Sequence, residues 1–422
     1  MRLGIYTNRC PYPPIGGIPR FLHELIQCFA PTSIKPELIM PNLVDGETDF
    51  YGSRQSYIET ALAKSMESMV DIDLERVPQD ITVTFQNSAE AGLLSPEKIH
   101  SLYYRTYEER YELVRTFDSL IVAGSPLLLC NNLDFISLIS NINVPTIFVM
   151  LFPLIEIEFY CGSQFRDYIA RCVELWINSC SCAVVPSEYS RTELLSNCHI
   201  TSPIYRIPHC INLQEFRAEN FPNNRKIERN VVSTSRFSSF SKHKNIDDLL
   251  AAWKYVKSHV PNATLTLIGA APTASFYTRQ MLSQDGLVIT GEISDFERNK
   301  ILQKSRVFVL PSAIEAFGYS FLEALATGVP IIGIDSTATP ELIRHNENGI
   351  LVEAQRLPRV VGESSGYYLK PKVGDLVSAI TRILTDDSLY AKLHQGCLTN
   401  LTKFGRTNFT KSYKSLLTSI CR

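Results

Sequence analysis

Two glutamates eight residues apart, Glu315 and Glu323, bracket a glycine within the run EAFGYSFLE. The run follows the apolar stretch 307–310 and the turn residues Pro311 and Ser312, and it opens a helical pattern that ends at Gly328. Backbone N–H groups at a helix N-terminus just past a strand end make a ready site for a phosphate. Glu315, in the loop before the helix, can reach a sugar attached there. Glu323, inside the first turns, can accept hydrogen bonds from two adjacent ribose hydroxyls. A capping loop with a solvated glutamate reads the same residues without chemistry. A second set, Ser235, Arg236 and Phe237 followed by Lys244 and Asn245, lies at the end of the apolar run 231–235. Ligands of open parallel sheets sit at such strand ends. Arg236 and Lys244 there can hold a diphosphate without a metal. Each contact is worth up to about 4 kcal/mol at ~4 Å and intermediate dielectric, before desolvation. Surface cations in a loop are the plain alternative. Gly16 and Gly17, after the first apolar run, let a backbone approach a phosphate closely, or simply make a turn.

The elements that must position these residues alternate short apolar runs with helical patterns, which argues for parallel α/β sheets. In the first half, strands are predicted at 3–6, 38–40, 120–123, 146–151 and 182–185, and helices at 21–29 and 188–196, the latter with Ser187 as N-cap. In the second half, strands are predicted at 231–235, 264–268, 287–290, 307–310, 331–334 and 349–352, with helices at 247–257 and 321–326. The stretch 211–230 is polar, carries Pro222 and lacks periodicity, so it reads as a linker between two domains. The expected division is 1–210 and 211–403, with a last helix in 404–422. In 45–100, Ile58, Leu62, Met66 and Met69 fall at helical spacing and predict a core-facing stripe.

Length and composition fit this picture. At about 100–200 residues per domain, 422 residues make two domains. Hydrophobic residues are 45% and charged residues 20%, a globular balance, and the net charge of −2 gives no footprint for nucleic-acid binding. The 11 cysteines form no CxxC pair and the eight histidines no HxxxH pair. Reduced thiols, a cytosolic compartment and no metal site are expected. No secretory leader is expected at the start, and the most apolar stretch, 144–157, is too short to span a bilayer and predicts a strand followed by a loop.

Taken together, the motifs resemble the retaining glycosyltransferases of family 4. The resemblance is carried by Gly16, Gly17 and Ile18, by VVPSEYS (184–190) and IPHCIN (207–212), by Ser235, Arg236 and Phe237 with Lys244 and Asn245, and by TGEISD (290–295). It continues through 309–330, Thr339 to Glu341 and NGILV (348–352). It implies the GT-B fold, two doubly wound Rossmann-like domains facing across a cleft, an acceptor-side first domain and a donor-binding second one. It also implies that the last helix crosses back onto the first domain. By the same resemblance, Glu315 contacts the transferred sugar and Arg236 and Lys244 stabilise the departing diphosphate. The amides at Phe317, Gly318, Tyr319 and Ser320 hold phosphate and sugar, Glu323 binds the ribose, the backbone at Ile293 meets the base, and Gly16 and Gly17 close over the phosphates. The co-substrate implied is a UDP- or GDP-sugar, with no further cofactor. The acceptor is a sugar, lipid-linked sugar or small molecule, with peripheral contact at the inner membrane face left open.

One departure stands out. The family commonly carries a histidine after the strand at 146–151, where this chain has Val149 and Met150, and no histidine lies between His100 and His199. A catalytically weak GT-B protein that binds a nucleotide sugar or supports a partner therefore stays open beside the transferase, as does, separately, a nucleotide-sugar epimerase. His23 reads as an ordinary helix-face residue. Asp71 and Asp73 match the DxD pattern of metal-dependent transferases but sit at no recognisable strand end, and Tyr103, Tyr107 and Tyr111 repeat at helical spacing and predict an aromatic face packed on the sheet.

Overall fold

A computed structural model of the chain describes residues 1–7, 17–40, 99–101, 105–124, 133–161, 163–216, 228–235, 239–269, 279–361 and 364–421. The chain divides into two compact units, Met1–Cys210 with Arg406–Arg422, and Ile211–Gly405.

The first unit runs β1 (Arg2–Tyr6), α1 (Gly17–Phe29), β2 (Lys35–Met40), β3 (Ile99–Ser101), α2 (Tyr107–Val114), β4 (Ser119–Val122), α3 (Leu133–Asn141), β5 (Thr146–Val149), α4 (Leu154–Cys161), α5 (Ser163–Asn178), β6 (Cys182–Val185), α6 (Glu188–Asn197) and β7 (Ile204–Arg206). Its seven strands lie in the order β3-β2-β1-β4-β5-β6-β7, all parallel. The strands β1, β4, β5 and β6 are apolar because helices cover both faces. Tyr6 stacks on Phe135 at 3.8 Å between ring centroids, and Trp176 closes the same cluster. Ser187 caps α6 by accepting from Ser190 N.

The second unit runs β8 (Asn230–Thr234), α7 (Ile246–His259), β9 (Thr264–Ile268), α8 (Arg279–Leu282), β10 (Leu287–Ile289), α9 (Asp295–Lys304), β11 (Val307–Val309), α10 (Tyr319–Ala326), β12 (Ile331–Ile334), α11 (Thr339–Leu342), β13 (Gly349–Val352), β14 (Ala354–Val361), β15 (Ser364–Pro371), α12 (Val373–Thr385) and α13 (Asp387–Leu398). The parallel order is β10-β9-β8-β11-β12-β13, with β14 and β15 an antiparallel pair beside it. The order turns back between β8 and β11, so the chain leaves these neighbours toward opposite faces and opens a crevice at their C-terminal ends. The last helix, α14 (Arg406–Ile420), packs on α1: Phe409 meets Phe21, Tyr413 meets Phe29, and Arg406 Nε donates to Glu24 Oε2 at 2.6 Å.

Three expectations are corrected, and one element is new. The polar stretch after Cys210 starts as packed structure: Ile211 and Phe216 are buried in the second core, Phe216 at the end of a 3-10 turn at Leu213–Phe216. The segment after β5 is helical as α4, its first amides held by the Glu193 carboxylate at 2.9 and 2.8 Å. The aromatic face of α2 is buried only in part: Tyr107 is 46% exposed, while Tyr111, one turn on, packs against the first core. The hairpin β14–β15 was not anticipated; Lys370 on β15 ties it to Asp247 and Asp248 at 3.0 Å each. The helical stripe from Ile58 to Met69 lies outside the described residues. Cys28, Cys172, Cys180, Cys182, Cys198, Cys210, Cys397 and Cys421 are free thiols. Burial pushes Cys182 and Cys198 up to about 12, so both serve as protonated packing groups.

Candidate active site

The loop after β11 is held from both flanks. Asn245 Nδ2 donates to Pro311 O at 2.9 Å, and Ala313 N donates to His243 O at 2.7 Å. From the other side, Ser336 Oγ donates to Ala313 O at 2.9 Å, and Glu315 N donates to Thr337 Oγ1 at 2.9 Å. These anchors follow β8 and β12, the two neighbours of β11. Sheet order alone therefore brings three strand-end segments to one edge. Asn245 stands in the left-handed region at φ 51, and its second Nδ2 bond goes to Leu369 O on β15 at 2.9 Å. Asparagine tolerates that conformation better than most side chains.

Lys244 Nζ lies 2.6 Å from Glu315 Oε1. The carboxylate is 10% exposed and the ammonium 23%. A carboxylate this deep needs a charged partner, and the lysine supplies it. The pair keeps one face of the lysine toward solvent, where an anionic group can reach it.

Gly318 precedes α10 at φ 98, and a Cβ there would stand 2.7 Å from Phe321 Cδ2. Only glycine fits that turn. Being glycine, it gives no side-chain cap, so the first amides of α10, at Tyr319 and Ser320, keep the positive end of the helix dipole without a side-chain acceptor from the cap position. Phe317 is buried, edge-on to Tyr319 and to Phe404 at 6.0 Å each, which fixes the backbone entering the helix. Glu323 lies one turn into α10 and is 7% exposed; its Oε1 accepts from Arg298 Nη2 at 3.1 Å. Ile293 packs on the second core just before the capping box of Ser294 and Glu297 that starts α9.

The structure places Lys244, Glu315, Phe317, Gly318, Tyr319, Ser320, Glu323 and Ile293 in the second unit, on the loops and helices that follow its strands, and pairs Lys244 with Glu315. Gly17 opens α1 in the first unit. Gly16, Arg236, Asp71, Asp73 and Tyr103 lie outside the described residues. Arg298 and Thr337 were missed. Arg298 sits on a polar helix and pairs with Asp295 at i,i+3, so its sequence context reads as a surface ion pair. Val149 and Met150 are each 2% exposed, and Met150 belongs to the first core, so the position of the family histidine is apolar packing. Among the described residues no three or more His, Cys, Asp or Glu gather as metal ligands, and no helix is long and apolar enough to cross a membrane.

Residues 228–386 match the family model described as glycosyl transferases group 1. A GDP-mannose-dependent alpha-(1-6)-phosphatidylinositol monomannoside mannosyltransferase of Mycobacterium tuberculosis is 28% identical over 191 residues, 41% of this chain and 49% of that protein. An N-acetyl-alpha-D-glucosaminyl L-malate synthase of Bacillus anthracis is 31% identical over 132 residues, 31% of this chain and 32% of that protein. The matched region therefore spans half or less of these relatives' lengths. Among solved structures, sucrose-phosphate synthase from Thermosynechococcus elongatus aligns with a TM-score of 0.68 at 16% identity, over 99% of this chain and 98% of that one. The Anabaena protein HepE, in complex with UDP and glucose, aligns with a TM-score of 0.66 at 14% identity, over 99% and 100%. The chain has the two-domain α/β GT-B fold of these structures, and its second unit is similar in sequence to glycosyl transferases group 1.

Proposed function

We propose that the protein transfers a sugar from a nucleotide-diphosphate sugar to a hydroxyl acceptor with retention of configuration, as a hexosyltransferase of family 4. The observation that carries this reading is the 2.6 Å Lys244–Glu315 pair beside the glycine-led start of α10, with Glu323 on that same helix. A UDP- or GDP-sugar is the donor class; the mycobacterial relative is named GDP-mannose-dependent, and HepE was solved with UDP and glucose. The acceptor class is a hydroxyl on a glycan, a lipid-linked sugar or a small molecule.

As the bond from the anomeric carbon to phosphate oxygen breaks, negative charge grows on the diphosphate. Lys244, Arg236 and the α10 amides meet that charge. Fixed donors of this kind are each worth about 10²–10³ in rate. These cations supply the charge a metal would, so the scheme requires none. The acceptor oxygen attacks from the side the leaving group vacates, and its proton passes to the departing phosphate oxygen. Glu315 contacts the transferred sugar, and Glu323 accepts from the ribose hydroxyls. The backbone at Ile293 meets the base, and the backbone of Gly16 and Gly17 serves the phosphates.

A second reading, nucleotide-sugar binding without transfer, is favoured by the apolar, buried Val149 and Met150. The test mixes the protein with UDP-glucose or GDP-mannose, with and without candidate acceptors, and follows free nucleoside diphosphate and the anomeric proton of the product. Release on acceptor addition, with an unchanged anomeric configuration, supports retaining transfer. Binding without release supports the second reading, and donor interconversion without acceptor supports an epimerase.

A further inference from the structure

Glu323 does not stand alone in its helix. Its Oε1 is fixed by Arg298 Nη2 at 3.1 Å, while Arg298 Nη1 lies 2.7 Å from Asp295 Oδ1. The guanidinium is a rigid planar fork, so contacts at two of its nitrogens set its plane and hence the direction from which it holds the carboxylate. The helix that carries Arg298 is itself locked: Glu297 N donates to Ser294 Oγ at 3.2 Å, and Ser294 N donates to Glu297 Oε2 at 3.0 Å. A carboxylate that accepts from two neighbouring hydroxyls must present its lone pairs to both together. If it can rotate, much of that double contact is lost to the cost of ordering it.

We propose that Arg298 is a positioning residue for ribose: it orients the Glu323 carboxylate so that the site prefers a nucleotide bearing both ribose hydroxyls. The inference rests on the reading of Glu323 as the ribose ligand. It also ties two donor contacts to one element, since Ile293 directly precedes the capping box of α9.

The test is calorimetric titration of the full chain with UDP and GDP and with their 2′-deoxy and 3′-deoxy counterparts. Wild type, Arg298→Gln, Arg298→Lys, Glu323→Ala and the double variant Arg298→Gln with Glu323→Ala are compared. For the diphosphate that binds, wild type should prefer the ribonucleotide by about tenfold. Arg298→Gln and Glu323→Ala should each bring that ratio to within about twofold, with Arg298→Lys between, and the double variant should lose nothing further. If Arg298→Gln does not fold, Arg298→Lys and Asp295→Asn carry the comparison through the same ratio. A ratio kept at the wild-type value in the arginine variants, even with lower melting points or uniformly weaker binding, overturns the inference. A preference abolished in Glu323→Ala but kept in the arginine variants overturns it while leaving the ribose reading intact. Wild type that binds neither diphosphate overturns both.

Discussion

Lys244 holds two tasks that pull in different directions. It neutralises the buried carboxylate of Glu315, and in the proposed transfer its solvent-facing side meets the departing diphosphate. Lys244→Ala should therefore lower the transfer rate by about 10²–10³, read as kcat at saturating donor. Lys244→Arg, which keeps the charge but changes its geometry, should recover part of it. His209 makes a separate prediction. Burial beside Phe21 lowers its pKa to about 3, so the folded protein keeps it neutral where the unfolded chain already binds a proton. Below about pH 6.5 the unfolded state takes up that proton, and stability falls as pH drops toward 3, by up to about 1.4 kcal/mol per pH unit. Urea unfolding at pH 7, 5.5 and 4.5 should show this slope, and His209→Gln should flatten it. At this scale the legible residues were those whose type and place agree: Glu315, Glu323 and Lys244 stand where a strand end meets a helix start. Arg298 was illegible because its contact to Glu323 spans 25 residues and leaves no spacing in the sequence.

Elements were legible where burial was nearly complete. The runs at 182–185, 264–268, 331–334 and 349–352 coincide with β6, β9, β12 and β13, whose residues are buried except for the half-buried Thr264 and Leu351, since a strand covered on both faces is mostly apolar. The edge strand β7 escaped for the opposite reason: it ends in exposed Tyr205 and Arg206, so IYR shows no apolar run. The hairpin β14–β15 carries Pro358 and Gly366 and leaves Leu357 and Tyr367 over 40% exposed, which reads as a loop. The element on which the proposed function rests is the turn into α10. Gly318→Ala should cost about 1–3 kcal/mol, because φ 98 and the approach to Phe321 both resist a side chain. It should also displace the first amides of α10. The expected result is weaker diphosphate binding together with a lower urea midpoint.

At the scale of the whole molecule, the chain leaves the first unit at Cys210 and returns to it at Arg406, so α14 completes a core begun some 400 residues earlier. Phe409 is 3% exposed and lies against Phe21 and Tyr413. Phe409→Ala should lower the unfolding free energy by about 3–5 kcal/mol, while the affinity for a nucleoside diphosphate, assigned mainly to residues of the second unit, stays within about twofold. The central claim is that this second unit binds the nucleoside diphosphate of a sugar donor. The most direct measurement is the melting temperature of wild type and Glu323→Ala with UDP, GDP and their sugars, since a ligand at ~100 times its dissociation constant adds about 2.7 kcal/mol. The account predicts that one nucleotide series raises the wild-type melting temperature and that Glu323→Ala loses the rise. Wild-type melting that none of these ligands shifts would contradict it.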